Sequence, residues 1–207
     1  MKKLIYIFIL SLFTTNVAYS QTDYNCGINY NFGGELAYQA YTLTFDHVTY
    51  DPTYRSIDYP NGDVAADRGV CTDVVIRAYR KLGIDLQEKV HEDMVANFSL
   101  YPTFWGKNKA DSNIDHRRVR NLMTFFERFG HTLAVTDNPK DYNPGDIICW
   151  SMGGTTTHIG IVSHYLSNDG LTHKIVHNIG AGQNLDNCLF GAKIIGHYVY
   201  NCNRTWN

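Results

Sequence analysis

The spacing of apolar residues changes once along this chain, and that change limits the possible folds more than any other feature. From Cys71 apolar residues recur at helical spacing as far as Leu82, and two further helical patterns follow at 86–98 and 119–129. Beyond residue 130 the pattern becomes that of short apolar strands separated by turns. A run of helices followed by a run of strands predicts an α+β fold with an antiparallel sheet.

The strand half of the chain contains a well-marked hairpin. Residues 158–166 and 171–178 read as strands, and Ser167-Asn168-Asp169-Gly170 between them is typical of a turn. The remaining predicted elements are a short helix at Glu35–Thr44, strands at Thr132–Val135 and Asp146–Met152, and a last strand at Lys193–Tyr200 that closes the sheet.

The N-terminal residues have the three parts of an export signal. Lys2-Lys3 precedes the apolar run Leu4–Phe13, and Ala18-Tyr19-Ser20 provides small residues for cleavage. The apolar run is shorter than a membrane span requires. We therefore expect a signal peptide at 1–20 and a single domain at 21–207, located in the periplasm or outside the cell, with no stable membrane insertion after cleavage.

Composition narrows the class of protein. Charged residues make up 18% of the chain and aromatic residues 14%, which excludes a disordered chain or a coiled coil. The chain has 18 Lys and Arg against 20 Asp and Glu, so it lacks the basic excess that binding nucleic acid by bulk charge requires. We therefore expect no nucleic-acid partner.

The cysteines have to be placed in an oxidising compartment. The chain has 5 of them, so at most two bridges can form, and at least one thiol stays free or pairs between molecules. The pairing among Cys26, Cys149, Cys188 and Cys202 stays open. Because no CxxC or HExxH pattern occurs, we predict no metal site. We also expect no cofactor.

Cys71 differs from the other cysteines in its place in the predicted structure. It lies where the extended segment Gly69-Val70 gives way to a helix, and a helix N-terminus beside a histidine lowers a thiol pKa. His158 begins one strand of the hairpin and His177 ends the other, so the two rings are expected to be neighbours. Cys71 is therefore the candidate nucleophile, and a histidine from the sheet is the candidate base.

Several strings of residues carry a resemblance to a known family. They are similar to motifs of the bacterial family known as domain of unknown function 1287, roughly from Tyr50 to Tyr200. The strings are DRGVCTDVVIRAYRKLGIDLQ, VHEDM, NIDHRRVRNL, NPGDIICW, HIGIV and VHNIG.

A second and more distant resemblance concerns the order of the motifs. A Cys at a helix start, a PGD turn, HIGIV and then VH resembles the NlpC-type branch of the papain-like cysteine peptidases. The resemblance implies a papain-like α+β fold, with helices packed on an antiparallel sheet and a helical insertion at about 84–130. It also implies Cys71 as nucleophile, His158 as base and His177 as the residue that orients the base. Exported members of this superfamily commonly cut amide bonds in cell-wall peptides.

Several residues near these positions have alternative interpretations. Asn178 could orient the base in place of His177, and it is also a candidate substrate contact. Asp67, Arg68 and Asp73 flank the nucleophile, and each is interpreted either as part of a structural ion pair or helix cap or as a substrate contact. The basic run at 116–120 is interpreted as a solvated helix face, with an anion-binding patch as the alternative, and the Tyr-rich stretch at 50–59 as packing or as one wall of a groove.

These observations lead to a hypothesis about function. We expect an exported cysteine hydrolase that cleaves amide bonds in the stem peptides of peptidoglycan, so that its partner is a peptide or peptidoglycan substrate. An acyltransferase or transamidase on the same scaffold is one alternative. A non-catalytic cell-wall binding module is the other.

Overall fold

The computed structural model describes residues 30–201 of the 207-residue chain. The predicted signal peptide, Cys26 and Cys202 lie outside the described residues. Short 3₁₀ turns connect the helices and strands. The helices are α1 (Tyr30–Thr42), α2 (Cys71–Lys81), α3 (Leu86–Asn97) and α4 (Val119–Phe129), and the strands are β1 (Thr49–Tyr50), β2 (Arg68–Gly69), β3 (His131–Thr132), β4 (Ile147–Ser151), β5 (Thr157–Leu166), β6 (His173–Asn178), β7 (Gln183–Asp186) and β8 (Lys193–Val199).

Most of the strands form one antiparallel sheet. Its six strands follow the order β3-β8-β4-β5-β6-β7, and β1 and β2 form a separate parallel pair. The predicted α+β class with an antiparallel sheet is therefore confirmed. The predicted hairpin corresponds to β5 and β6, and the helices predicted near residues 71, 86 and 119 are also present.

The sheet differs from the expectation in two ways. The last strand, β8, does not close the sheet at an edge but lies between β3 and β4. The residues of β4 account for this position of β8. Ile147, Ile148, Cys149 and Trp150 are all buried, and a strand that is apolar on both faces belongs in the middle of a sheet, with a neighbouring strand on each side. The strand β7 was not predicted at all.

The sheet is covered on both faces. On one face the side chains of Ile147, Cys149 and Ile159 join a core formed with α1, α2 and α4. On the other face Ile148 and Trp150 join a smaller cluster. Because successive side chains of a strand point to opposite faces, this division fixes which residues of β4, β5 and β6 face the helices.

The helix that carries Cys71 is well defined at both ends. The predicted stop at Gly83 is confirmed, since this glycine has a φ of +78°, a conformation that other residues rarely adopt. Of the face that α2 turns to the core, Val74, Val75 and Ala78 are fully buried. Within residues 30–201, no helix has both the length and the apolar character that crossing a bilayer requires.

Candidate active site

Cys71 is the first residue of α2, and its neighbours explain why the helix begins there. Val70 is extended, and its N–H donates to the Asp73 carboxylate at 2.7 Å, while the N–H of Asp73 donates to the Val70 carbonyl at 3.1 Å. A Cβ on Gly69 would lie 3.2 Å from the same carboxylate, so glycine leaves room for this cap. The predicted place of Cys71 at a helix N-terminus is confirmed.

The Cys71 thiol is buried, with 7% of the residue exposed. Burial raises its pKa to about 11, and the charge of Asp73 acts in the same direction, while the backbone N–H groups of Ile159 and Thr72 oppose the increase. The expected lowering of the thiol pKa by the helix N-terminus is therefore overcome by desolvation. In this structure the thiol is neutral at pH 7.

His158 and His177 form a close pair at one end of the sheet. His158 is the second residue of β5 and His177 the second-last residue of β6, and His158 Nε2 lies 2.8 Å from His177 Nδ1. The expectation that the rings are neighbours is confirmed. Burial and then the charge of His177 lower the pKa of His158 to about 4, and burial also lowers the pKa of His177.

Two neighbouring residues hold this pair in place. A Cβ on Gly160 would meet the Val176 carbonyl at 2.9 Å and the His177 Cβ at 3.1 Å, so glycine allows the close approach of His177 to β5. Trp150 lies opposite His158 in the β4–β5 register, with 5.6 Å between the ring centroids. Its indole N–H donates to the Leu189 carbonyl at 2.8 Å, which fixes the ring beside His158.

Cys71 and His158 approach the end of the sheet from different faces. His158 shares a face with Trp150, whereas Ile159, the next residue, packs in the same core cluster as Cys71. Among the described residues, no hydrogen bond joins Cys71 Sγ to a ring nitrogen of His158. The thiol instead lies close enough to the Ile159 N–H for that group to affect its pKa. Catalytic hydrogen bonds are often long in structures without substrate, so this geometry leaves Cys71 a candidate nucleophile.

The histidine pair continues to an acidic side chain that the sequence analysis missed. His177 Nε2 lies 3.0 Å from Asp186 Oδ2 and 3.6 Å from Cys188 Sγ. Asp186 is the last residue of β7, and its side chain is 51% exposed. Since β7 is short and has no alternating pattern, nothing in the sequence connected this carboxylate with the histidines.

Asp73 has a partner that was also unexpected. Arg117 donates from Nε to Asp73 Oδ1 and from Nη2 to Asp73 Oδ2, both at 2.9 Å. The side chains are 4% and 2% exposed, so this is a buried ion pair. The interpretation of the run 116–120 as a solvated face is wrong for His116 and Arg117, which are both buried. The contacts of Asp73 favour the interpretation as helix cap and ion pair.

The other flanking candidates are also engaged with the protein. Arg68 is exposed and pairs with Asp51 at 3.2 Å, while the backbone carbonyl of the exposed Asp67 accepts from the N–H of Thr49 at 2.8 Å. Asn178 is buried, and its amide donates to the Gly69 carbonyl at 3.4 Å.

The geometry therefore separates the two candidates for orienting His158. His177 contacts the His158 ring. Asn178 instead contacts the segment that leads into Cys71.

Tyr50 lies near Cys71 and is partly exposed. It is 39% exposed, and the strand β1 to which it belongs pairs with β2 just before Cys71. Burial raises the pKa of the Tyr50 hydroxyl, and the charges of Cys71 and Asp73 add to the increase. The first residue of the Tyr-rich stretch thus lies beside Cys71, as one wall of a groove would.

Within the described part of the chain, His, Cys, Asp and Glu side chains do not gather in groups of three that could hold a metal ion. The features of the site define a class: an α+β protein with a cysteine at a helix N-terminus and a buried histidine pair at the adjoining end of an antiparallel sheet.

Comparison with known proteins places the chain in a family. The family model described as "Domain of unknown function (DUF1287)" matches residues 37–200, and the chain belongs to this family. The chain is also similar to the uncharacterized protein YijF of Escherichia coli (strain K12), with 50% identity over 151 residues, a match that covers 73% of each of the two chains.

Proposed function

We propose that this protein is an exported cysteine hydrolase of amide bonds, with a papain-like fold of the NlpC type and the stem peptides of peptidoglycan as its substrate class. The observation that carries the proposal is that three residues lie at one end of the sheet. Cys71 lies at the start of α2. At the same end of the sheet lie His158 and His177, whose ring nitrogens are 2.8 Å apart. An imidazole held by a second polar side chain is the arrangement that prepares a base for a nucleophile.

The pKa shifts favour one form of the mechanism. With its pKa lowered to about 4, His158 is unprotonated at pH 7 and can accept a proton, whereas Cys71, with a pKa of about 11, still carries one. The proton therefore moves from the thiol to His158 as the sulfur attacks, and the reaction begins from a neutral pair. A preformed pair of thiolate and imidazolium is not required.

The reaction balances as two acyl transfers. The Cys71 sulfur forms a bond to the amide carbon, the C–N bond breaks, and His158 gives its proton to the leaving amine. Water then attacks the thioester with His158 as base, which releases a carboxylate and restores the thiol. The N–H groups of Cys71 and Thr72 belong to the first turn of α2, where backbone N–H groups have no helical partners, and are the expected donors to the oxyanion.

The test is incubation of the purified protein with peptidoglycan, followed by mass spectrometry of the soluble products. New amine and carboxylate ends are expected, and both Cys71→Ala and His158→Ala should reduce their formation by several orders of magnitude. Cys149→Ala is the matched control, because it removes another buried thiol of the same core cluster. His177→Asn should keep more activity than His177→Ala, since an amide oxygen can still accept from the His158 ring. Unchanged peptidoglycan in the presence of the folded wild type would refute the proposal.

A second candidate function is a non-catalytic cell-wall binding module. The observation that favours it is the burial of Cys71, together with the lack of a hydrogen bond to His158 within residues 30–201. The same experiment distinguishes the two, because a module would bind peptidoglycan without producing new ends, and Cys71→Ala would bind as well as the wild type. Cross-linked products in place of cleaved ones would indicate an acyltransferase.

A further inference from the structure

Asp186, His177 and His158 form a continuous line of hydrogen bonds. The line runs from Asp186 Oδ2 to His177 Nε2 at 3.0 Å, and from His177 Nδ1 to His158 Nε2 at 2.8 Å. We propose that Asp186 is a positioning residue that fixes the tautomers of both rings and thereby leaves Nδ1 of His158 as the unprotonated nitrogen. One part of this inference rests on the proposed function, namely the role of His158 Nδ1 as the base that accepts the proton of Cys71.

The tautomers follow from the chemistry of the three groups. An ionised carboxylate can only accept, so the nitrogen of His177 that faces Asp186, Nε2, must carry the proton. A neutral imidazole has a single N–H, so Nδ1 of His177 is then an acceptor. His158 must therefore donate from Nε2, and its Nδ1 keeps a free electron pair. Since burial lowers the pKa of both histidines, both rings are neutral at pH 7, as this sequence of steps requires.

The opposite arrangement is what Asp186 prevents. Without the carboxylate, His177 could carry its proton on Nδ1 and donate to His158 Nε2. His158 would then be protonated on Nδ1 and could not accept a proton there. An imidazole in the wrong tautomer is a poor base even when its position is unchanged.

The local structure places Asp186 well for this role. In the β6–β7 register, His177 lies opposite Asn184, and Asp186 lies opposite Ile175, two residues earlier on β6. The carboxylate is therefore a diagonal neighbour of the ring on the same face of the sheet.

Cys188 approaches the same nitrogen but cannot replace the carboxylate. Its Sγ lies 3.6 Å from His177 Nε2, and burial, with the charge of Asp186, raises its pKa to about 12. It is thus a neutral thiol, which is a weak acceptor. Asp186 is the acceptor that decides the tautomer of His177.

The experiment reads the tautomers directly. Protein labelled with ¹⁵N at histidine is studied by long-range ¹H–¹⁵N correlation at pH 7, and both His158 and His177 should carry the proton on Nε2. In Asp186→Ala and Asp186→Asn we expect mixed tautomers or protonation of Nδ1, since an Asn amide can also donate to the ring. Asp186→Glu should restore the wild-type pattern, because the partly exposed side chain has room to reach the ring. Asp137→Asn, which removes a carboxylate from an exposed residue outside the sheet, is the control and should leave the pattern unchanged.

Kinetics on a peptidoglycan peptide provide the second readout. Asp186→Asn should lower kcat by at least about tenfold with little change in KM, because an imidazole in the wrong tautomer is a poor base. A merely structural role would instead reduce the folded fraction, which circular dichroism measures, and would not be rescued by Asp186→Glu.

The outcomes separate this proposal from the proposed function. A wild-type His158 protonated on Nδ1, or wild-type tautomers in both Asp186→Asn and Asp186→Ala, would overturn the role of Asp186 even if the protein hydrolyses peptidoglycan. Tautomers that respond as expected in a protein that cleaves nothing would support the positioning role and refute the hydrolase.

Discussion

Removal of the Asp73 carboxylate should destabilise the protein strongly, because it leaves the Arg117 guanidinium buried and unpaired. The side chains are 4% and 2% exposed and are joined by two hydrogen bonds of 2.9 Å. Breaking a buried pair of this kind costs about 3–5 kcal/mol. Asp73 also caps α2 at the Val70 N–H, and loss of such a cap costs about 1 kcal/mol. The free energy of unfolding of a protein is typically about 5–15 kcal/mol, so Asp73→Ala should remove a large part of it.

A second substitution tests the cause. In Asp73→Ala/Arg117→Met no buried charge remains, and replacing both members of a buried pair by apolar residues is often close to neutral. The double variant should therefore be more stable than Asp73→Ala alone. The assay is urea unfolding followed by circular dichroism, with the free energies combined in a double-mutant cycle. Arg55→Gln, which removes an exposed partner of Asp51, is the control and should change stability little.

Two results would refute this reasoning. If Asp73→Ala unfolds at nearly the urea concentration of the wild type, the ion pair does not hold the start of α2. If the losses of stability in Asp73→Ala and Arg117→Met simply add in the double variant, an unpaired Arg117 does not destabilise the protein. An increase in KM without any loss of stability in Asp73→Ala would restore the interpretation of Asp73 as a substrate contact.

Three further predictions concern packing, pH and the thiol. Gly160→Ala should cost about 1–3 kcal/mol in urea unfolding, because the added Cβ meets the Val176 carbonyl at 2.9 Å and the backbone has to move; wild-type stability would contradict this. Burial lowers the pKa of His116 to about 3, below its value of about 6.5 in the unfolded chain. The stability that neutral His116 provides is therefore fully present above about pH 6.5 and is lost as the pH falls toward 3. A plot of stability against pH should be less steep over this range in His116→Gln, and equal slopes would argue against the shift. Iodoacetamide should label Cys71 slowly at pH 7 and faster as the pH rises toward its pKa of about 11, with the fully buried Cys149 slower still; rapid labelling of Cys71 at pH 6 would show a preformed thiolate.

The features that could be predicted from the sequence depend on local patterns. Apolar residues at helical spacing identified α2, and the turn at Ser167–Gly170 set the hairpin that brings His158 and His177 together. Because α2 begins at Cys71 and packs on β5, these patterns also place the thiol near the end of the sheet. Each of these inferences needs only residues that are close in the sequence.

The features that could not be predicted depend on contacts between distant segments. Arg117 belongs to a basic run that looks exposed, and it is buried only because Asp73, far away in the sequence, lies opposite it. Asp186 lies on a strand too short to show a period, and its role depends on the register of that strand with β6. In the same way, β8 pairs with β4 although a long stretch of chain separates them. Periodicity identifies elements but not which distant elements meet.

The protonation state of Cys71 depends on the relative size of two opposing effects on its pKa. A charge at a helix terminus is stabilised by about 0.3–1 kcal/mol, or by about 2 kcal/mol in favourable buried sites, which corresponds to a decrease of roughly one pKa unit. Burial of an ionisable group shifts its pKa by as much as about 3–5 units in the opposite direction for a thiol. Since Cys71 is 7% exposed, burial is the larger effect, and its pKa is raised to about 11. A cysteine at a helix N-terminus is thus acidic only where the fold leaves it hydrated or pairs it with a cation. Here the neighbouring His158 is neutral, so the proposed hydrolysis takes the general-base form, in which deprotonation and attack occur together.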